Sequence, residues 1–157
     1  VIAMLHHIKK LMVFSNETAS DSKTIEEQIH LAAAVLLVEV MMADHEVQDE
    51  EIAQIIKVLE TLFEVEKGQT EILINEARQR HEELVSLHEM TSIINQQHDQ
   101  ELKRKLVYAM WCIAFADDHK DKYEEHLIRK VADLLYLSHS EFIQARHQAL
   151  VHYNKGS

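Results

Sequence analysis

From residue 24 to residue 153 the apolar positions recur three and four apart with scarcely a break, and no stretch alternates with period two. That spacing stacks apolar side chains on one face of successive α-helices and leaves no candidate strand. The first helix is expected over 24–43. It opens on a capping box, Thr24 with Glu27, and buries Ile25, Ile29, Ala32, Ala33, Leu36 and Val40 as one stripe. A second carries Ile52, Ile55, Ile56, Leu59, Leu62 and Phe63 and stops before the turn around Gly68. Helices follow at about 70–86, 88–97, 99–116, 122–136 and 139–153, with Asp99 placed to cap one and Ser138 with Glu141 forming a capping box for the last. The predicted fold class is all-α, a compact bundle of about seven helices with short connections.

Two segments stand apart from this domain of residues 24–153. VIAMLHHIKKLMVF (1–14) places Met4, Leu5, Ile8, Leu11 and Met12 at helical spacing with His7, Lys9 and Lys10 between them. It reads as a basic amphipathic helix, able to pack on its own domain, on a protein partner or on an anionic membrane surface. SNETASDSK (15–23) is small and polar and reads as a linker.

Composition narrows the function classes. Two glycines, Gly68 and Gly156, and no proline exclude P-loops, dinucleotide-binding turns and serine-nucleophile elbows. A formal charge of −11 offers no basic stripe for phosphates, so nucleic acid is not an expected partner and cations or basic surfaces are. Cys112, the single cysteine, is expected to be a buried thiol acting as a small hydrophobe. No run reaches the ~18 apolar residues of a membrane span, and the first residues lack a signal peptide's order of regions. A cytoplasmic protein is expected, with peripheral contact at the inner membrane through residues 1–14 as its one membrane role.

The chemistry concentrates in an internal repeat. Shifted by 73 residues, positions 43–63 match 116–136 at seven of twenty-one sites without a gap: Ala43/Ala116, Asp44/Asp117, Glu51/Glu124, Ile55/Ile128, Lys57/Lys130, Val58/Val131 and Leu62/Leu135. Two helical hairpins related by a pseudo-two-fold axis are expected. The apolar identities need only core packing. Asp44 and Asp117, however, fall at helix carboxyl ends, where the macrodipole disfavours an anion by ~0.3–1 kcal/mol. Glu51 and Glu124 lie early in the following helices, where a negative charge is favoured, and Gln48, Asp49 and Asp121 are able to cap those helices. Four converging carboxylates repel unless a cation lies between them. Oxygen donors suit Ca²⁺, Mg²⁺ or Mn²⁺, and His45 and His119 would extend the choice to Zn²⁺.

Other metal frameworks fail on spacing. Counted from Asp44, an EF-hand would need glycine where Asp49 stands and glutamate where Ile55 stands. A di-iron bundle needs two Glu-x-x-His pairs, and only Glu27/His30 has that spacing. One enzymatic alternative is a metal-dependent phosphohydrolase in which His88, the His98-Asp99 dipeptide and Asp117 supply ligands. A metal-free adaptor is the other alternative. Among remaining residues, Trp111 is expected in the core, Arg129 and Asp133 as an ion pair, and His88, Thr91 and Asn95 along one polar helix face.

The pattern A-D-x-x-x-D-x-x-E, followed by LIRKVADLL and S-x-x-x-F-I-x-A-R and preceded by LAAAVLLVEV-x-x-AD and H-x-x-T-x-x-I-N, resembles the bacterial tellurite-resistance protein B family. The resemblance runs from about residue 28 to 150. It implies an all-helical, internally repeated fold, a stress-response role without catalysis, and a divalent-metal site. Asp44 and Glu51 correspond to that site in the first elbow, and Asp117, Asp121 and Glu124 in the second. The family's A-D-G elbow is altered here to His45 and Asp118, and Gln48 replaces the acid present as Asp121, so the elbows need not bind equally.

Overall fold

A computed structural model describes residues 21–43, 49–83, 86–116 and 122–155. Among them are seven α-helices: α1 (Asp21–Met42), α2 (Asp49–Thr61), α3 (Thr70–Glu82), α4 (Leu87–Asn95), α5 (Gln100–Ala116), α6 (Lys122–Leu134) and α7 (His139–Lys155). Every helix expected between residues 24 and 153 is present, and no described residue is in a strand. The amphipathic segment 1–14 and most of the linker lie outside the described residues.

Helix starts follow local chemistry where a cap is strong. The Ser138–Glu141 box forms as expected: the Glu141 N–H donates to Ser138 Oγ at 3.1 Å and the Ser138 N–H to Glu141 Oε1 at 3.2 Å. The Gln100 amide also donates to Glu141 Oε2 at 2.8 Å. That bond, with the Ser138 contacts and Arg104 nearby, holds the Glu141 carboxyl below the usual glutamate range. Asp99 caps α5 by accepting the Leu102 N–H at 3.1 Å. Thr24 starts nothing, because α1 already begins at Asp21 and takes in the last three residues assigned to the linker. Extending an existing helix gains one bond per residue, so the earlier start wins.

The core is built on two helices. In α1 every residue from Ala32 to Val38 is buried, with Val40 and Met41. In α5 Leu106, Val107 and the run Ala109–Phe115 are buried. A helix apolar on all sides must be surrounded, so the single stripe inferred for α1 understates its burial. It packs against α2, α3, α4, α5 and α6, while α5 packs most extensively on α7. The remaining helices form a shell around this pair. Each helix that follows an acidic elbow therefore lies against the central helix that precedes it, α2 on α1 and α6 on α5.

Candidate functional site

Both α2 and α6 are 13 residues long, and their bounds differ by the offset of the sequence repeat. Ile55 and Ile128 are fully buried, as are their repeat-matched neighbours Val58 and Val131 to within 3%. Glu51 and Glu124 each occupy the third residue of their helix, and they are 0% and 2% exposed. Asp49 and Glu50 beside the first, and Glu125 beside the second, are exposed. Surface carboxylates suffice to complement a helix dipole, so that role does not require the burial of these two. The helix amino terminus supplies part of what a buried carboxylate needs, since its N–H groups point toward negative charge.

Asp44, His45, Gln48, Asp117, Asp118, His119 and Asp121 lie outside the described residues. Among those that are described, no group of three His, Cys, Asp or Glu side chains is spaced to hold a metal. What the structure brings into view is thus one glutamate per elbow, in matched register and in matched burial.

The far ends of both elbow helices are fixed by side chains from elsewhere. Lys105 of α5 donates to the Leu62 carbonyl at 3.0 Å and lies over the Phe63 ring at 5.5 Å. A cation at a helix carboxyl end also complements the dipole. Asn95 of α4 donates to the Leu134 carbonyl at 2.9 Å. These clips hold α2 and α6 against axial sliding, and so hold Glu51 and Glu124 in place. His81 of α3 meets Glu39 of α1 at 2.6 Å and ties those helices together. None of the three contacts has a sequence signal, because partners stand about forty positions apart.

Other singled-out residues have structural roles. Thr91 is buried and its hydroxyl donates to the carbonyls of Leu87 and His88 in its own helix, and Asn95 is the clip just described, so both polar groups on this face are satisfied within the fold. Arg129 does not pair with Asp133. Its guanidinium lies 4.7 Å over the Phe142 ring, and stacking on an aromatic face competes well with an exposed ion pair. Trp111 is in the core as expected, 5.5 Å from Phe115 and 5.6 Å from Phe142, with Arg146 over its ring. Cys112 is buried, and burial pushes its thiol above the ordinary value. No helix among the described residues is long and apolar enough to cross a membrane.

The described residues form an all-helical bundle in which each of two central helices is followed in sequence by an acidic stretch and then by a 13-residue helix packed against it. The chain belongs to the family described as Tellurite resistance protein TerB, whose model matches residues 30–147. No curated protein and no solved structure matches it.

Proposed function

We propose that the chain is a non-catalytic stress-response module of the TerB type, which binds a divalent cation at its acidic elbows and acts through contacts with a protein partner. The observation that carries this reading is the matched burial of Glu51 and Glu124. A carboxylate withdrawn from water is costly unless positive charge and donors compensate it. A cation shared with Asp44 in the first elbow, and with Asp117 and Asp121 in the second, would add positive charge next to a helix amino terminus, beside the contacts these two glutamates already make. Oxygen ligation favours Ca²⁺, Mg²⁺ or Mn²⁺, and His45 or His119 adds the nitrogen that Zn²⁺ prefers. The phosphohydrolase alternative loses support from the geometry around His98. Asp99 is engaged as the cap of α5, while His98 is exposed in a left-handed turn with φ 53° and His88 is exposed on α4.

Thermal melting with metal and with chelator tests the proposal on four proteins: wild type, Glu124→Gln, Asp117→Asn and Glu51→Gln. A cation that binds only the folded state stabilises it by RT ln(1 + [L]/Kd), about 2.7 kcal/mol at a hundredfold excess over Kd. The wild type should gain that shift. Glu124→Gln and Asp117→Asn should lose it, and Glu51→Gln should lose a smaller part if Gln48 weakens the first elbow. Equal shifts in all four proteins would move the cation away from the elbows. No shift with Ca²⁺, Mg²⁺, Mn²⁺ or Zn²⁺ would leave the metal-free adaptor.

A further inference from the structure

The negative charge of the chain is unevenly divided. Residues 21–95, which include α1 to α4, carry 17 acidic and 5 basic side chains, whereas residues 96–155, which include α5 to α7, carry 9 of each. Within the acidic half lies a groove of about 800 Å³, lined by α1 between Glu26 and Leu31, by α3, by α4 and by the α2–α3 connection. Its floor is apolar. Val65 and Met90 are buried there, Leu31, Leu73 and Ile93 are half-buried, and Ile72 is 59% exposed. Five glutamates share the lining. Glu76 meets Arg80 at 3.6 Å and Glu26 lies 3.9 Å from His30, but Glu27, Glu64 and Glu66 enter no ion pair among the described residues. Glu64 also stands in the left-handed region at φ 56°, where glycine is favoured, so the rim holds that carboxylate at a conformational cost.

We infer that this groove docks a basic, amphipathic helix of a protein partner. Charge decides the class of partner first, because an acidic rim on an acidic half-molecule repels nucleic acid and anionic lipid alike. The groove then decides the form of the segment. Addition of a strand needs an exposed sheet edge, and no described residue is in a strand. Recognition of a polyproline segment needs an aromatic-lined groove, and no Phe, Tyr or Trp lines this one. Capture of an acidic or phosphorylated motif needs a cluster of arginines, and the one arginine in the lining already faces Glu76. A helix laid between helices is the mode that fits. Apolar side chains three and four apart on such a helix cover Ile72, Leu73 and Ile93, and flanking lysines or arginines reach Glu27, Glu64 and Glu66. The apolar contact supplies affinity, and the charges orient the segment and speed its association. The inference deepens the proposed contact with a protein partner. It does not depend on the metal, because neither Glu51 nor Glu124 lines the groove.

One substitution separates docking from general attraction by its sign. Ile72→Asp adds negative charge, so a basic peptide held by charge alone should bind it more tightly, whereas a helix seated on the apolar floor should bind it about tenfold more weakly. The probe is a synthetic peptide of about 18 leucines and lysines with the leucines at helical spacing, and its control is a scrambled peptide of the same composition. Each is titrated into the full-length chain, with affinity read by fluorescence anisotropy and the site by amide chemical shifts. The amphipathic peptide should bind about tenfold more tightly than the scrambled one and shift the amides of Val65, Leu73 and Ile93, leaving Ala145 and Ala149 of α7 unmoved. Glu64→Gln with Glu66→Gln should weaken binding more than Glu82→Gln with Glu89→Gln, which removes equal charge outside the groove. Ile72 is mostly exposed, so its variant should keep the wild-type amide spectrum away from the groove. Absence of binding, equal binding of the scrambled peptide, or equal or tighter binding to Ile72→Asp would overturn the inference. So would groove amides that move with the chain's own concentration before peptide is added, since a second copy would then be the occupant. Shifts centred on another face would remove the groove while keeping a protein partner, and no arm of this experiment alters the metal-induced melting shift by which the elbows are judged.

Discussion

At the scale of single residues, identical side chains separate by where the backbone places them. Glu50 and Glu51 are neighbours, yet one is exposed and the other is fully buried. Position three of an elbow helix thus carries information that composition does not. Cys112 and Tyr108 illustrate the opposite case, chemistry suppressed by burial. Burial pushes the Cys112 thiol above its ordinary 9.0, partly offset by the Tyr108 hydrogen bond, and burial with Cys112 close by pushes the Tyr108 phenol up to about 12. Both groups hold their protons more tightly when folded than when unfolded. The stability they contribute is complete below pH 9 and is lost as pH rises, first through the thiol and then through the phenol between 10 and about 12. Urea midpoints should therefore fall above pH 9, and Tyr108→Phe should flatten the fall in its upper part. A thiol reagent at neutral pH should leave Cys112 unmodified until the chain unfolds.

At the scale of elements, helix ends decide how much was legible. Capping boxes and Asp caps are local, so Ser138–Glu141 and Asp99 could be read directly and are present as expected. Thr24 shows the limit of that logic, because a favourable cap does not prevent an earlier start. Helix stops are less legible, because a local turn can form on a residue type that gives no signal for it. The carboxyl end of α6 is a Schellman turn, in which the Leu137 N–H donates to Ala132 O and the Tyr136 N–H to Asp133 O, both at 3.0 Å. Its left-handed residue is Tyr136, φ 60°, where glycine is usual. Tyr136 is 79% exposed, and its contact with Lys103 at 5.9 Å is a surface one. Tyr136→Gly should thus relieve more strain than it loses in packing and stabilise the protein by about 0.5–1 kcal/mol in urea titration. Asn95→Ala removes the donor to the Leu134 carbonyl and should destabilise by about 1–2 kcal/mol. A loss near zero would mean that the α6 end is held by its Schellman turn alone.

At the scale of the whole molecule, period and repeat sufficed for the fold class and for the matched registers of α2 and α6. They did not reveal that α1 and α5 are enclosed, since an enclosed helix differs from an amphipathic one only in what its neighbours cover. Net charge is another whole-molecule property, and it bears directly on the metal reading. With 27 acidic against 16 basic residues, the folded chain repels itself at neutral pH. Monovalent salt should therefore raise the melting temperature as the screening length shortens from ~10 Å at 0.1 M toward ~3 Å at 1 M. The twelve histidines are enough to cancel the formal charge of −11, so that gain should shrink as pH falls through about 6.5. Any divalent cation screens as well as binds, and the two effects separate only at constant ionic strength. Glu124→Gln changes one of the 27 acids, which leaves the repulsion and hence the salt response almost intact. Site binding instead depends on that one carboxylate. At fixed ionic strength, wild type should gain stability when the divalent ion replaces sodium, and Glu124→Gln should gain none, although both respond alike to sodium chloride. If the two proteins also respond alike to the divalent ion, the cation acts on the charge of the whole surface, and the buried glutamates are held within the fold without it.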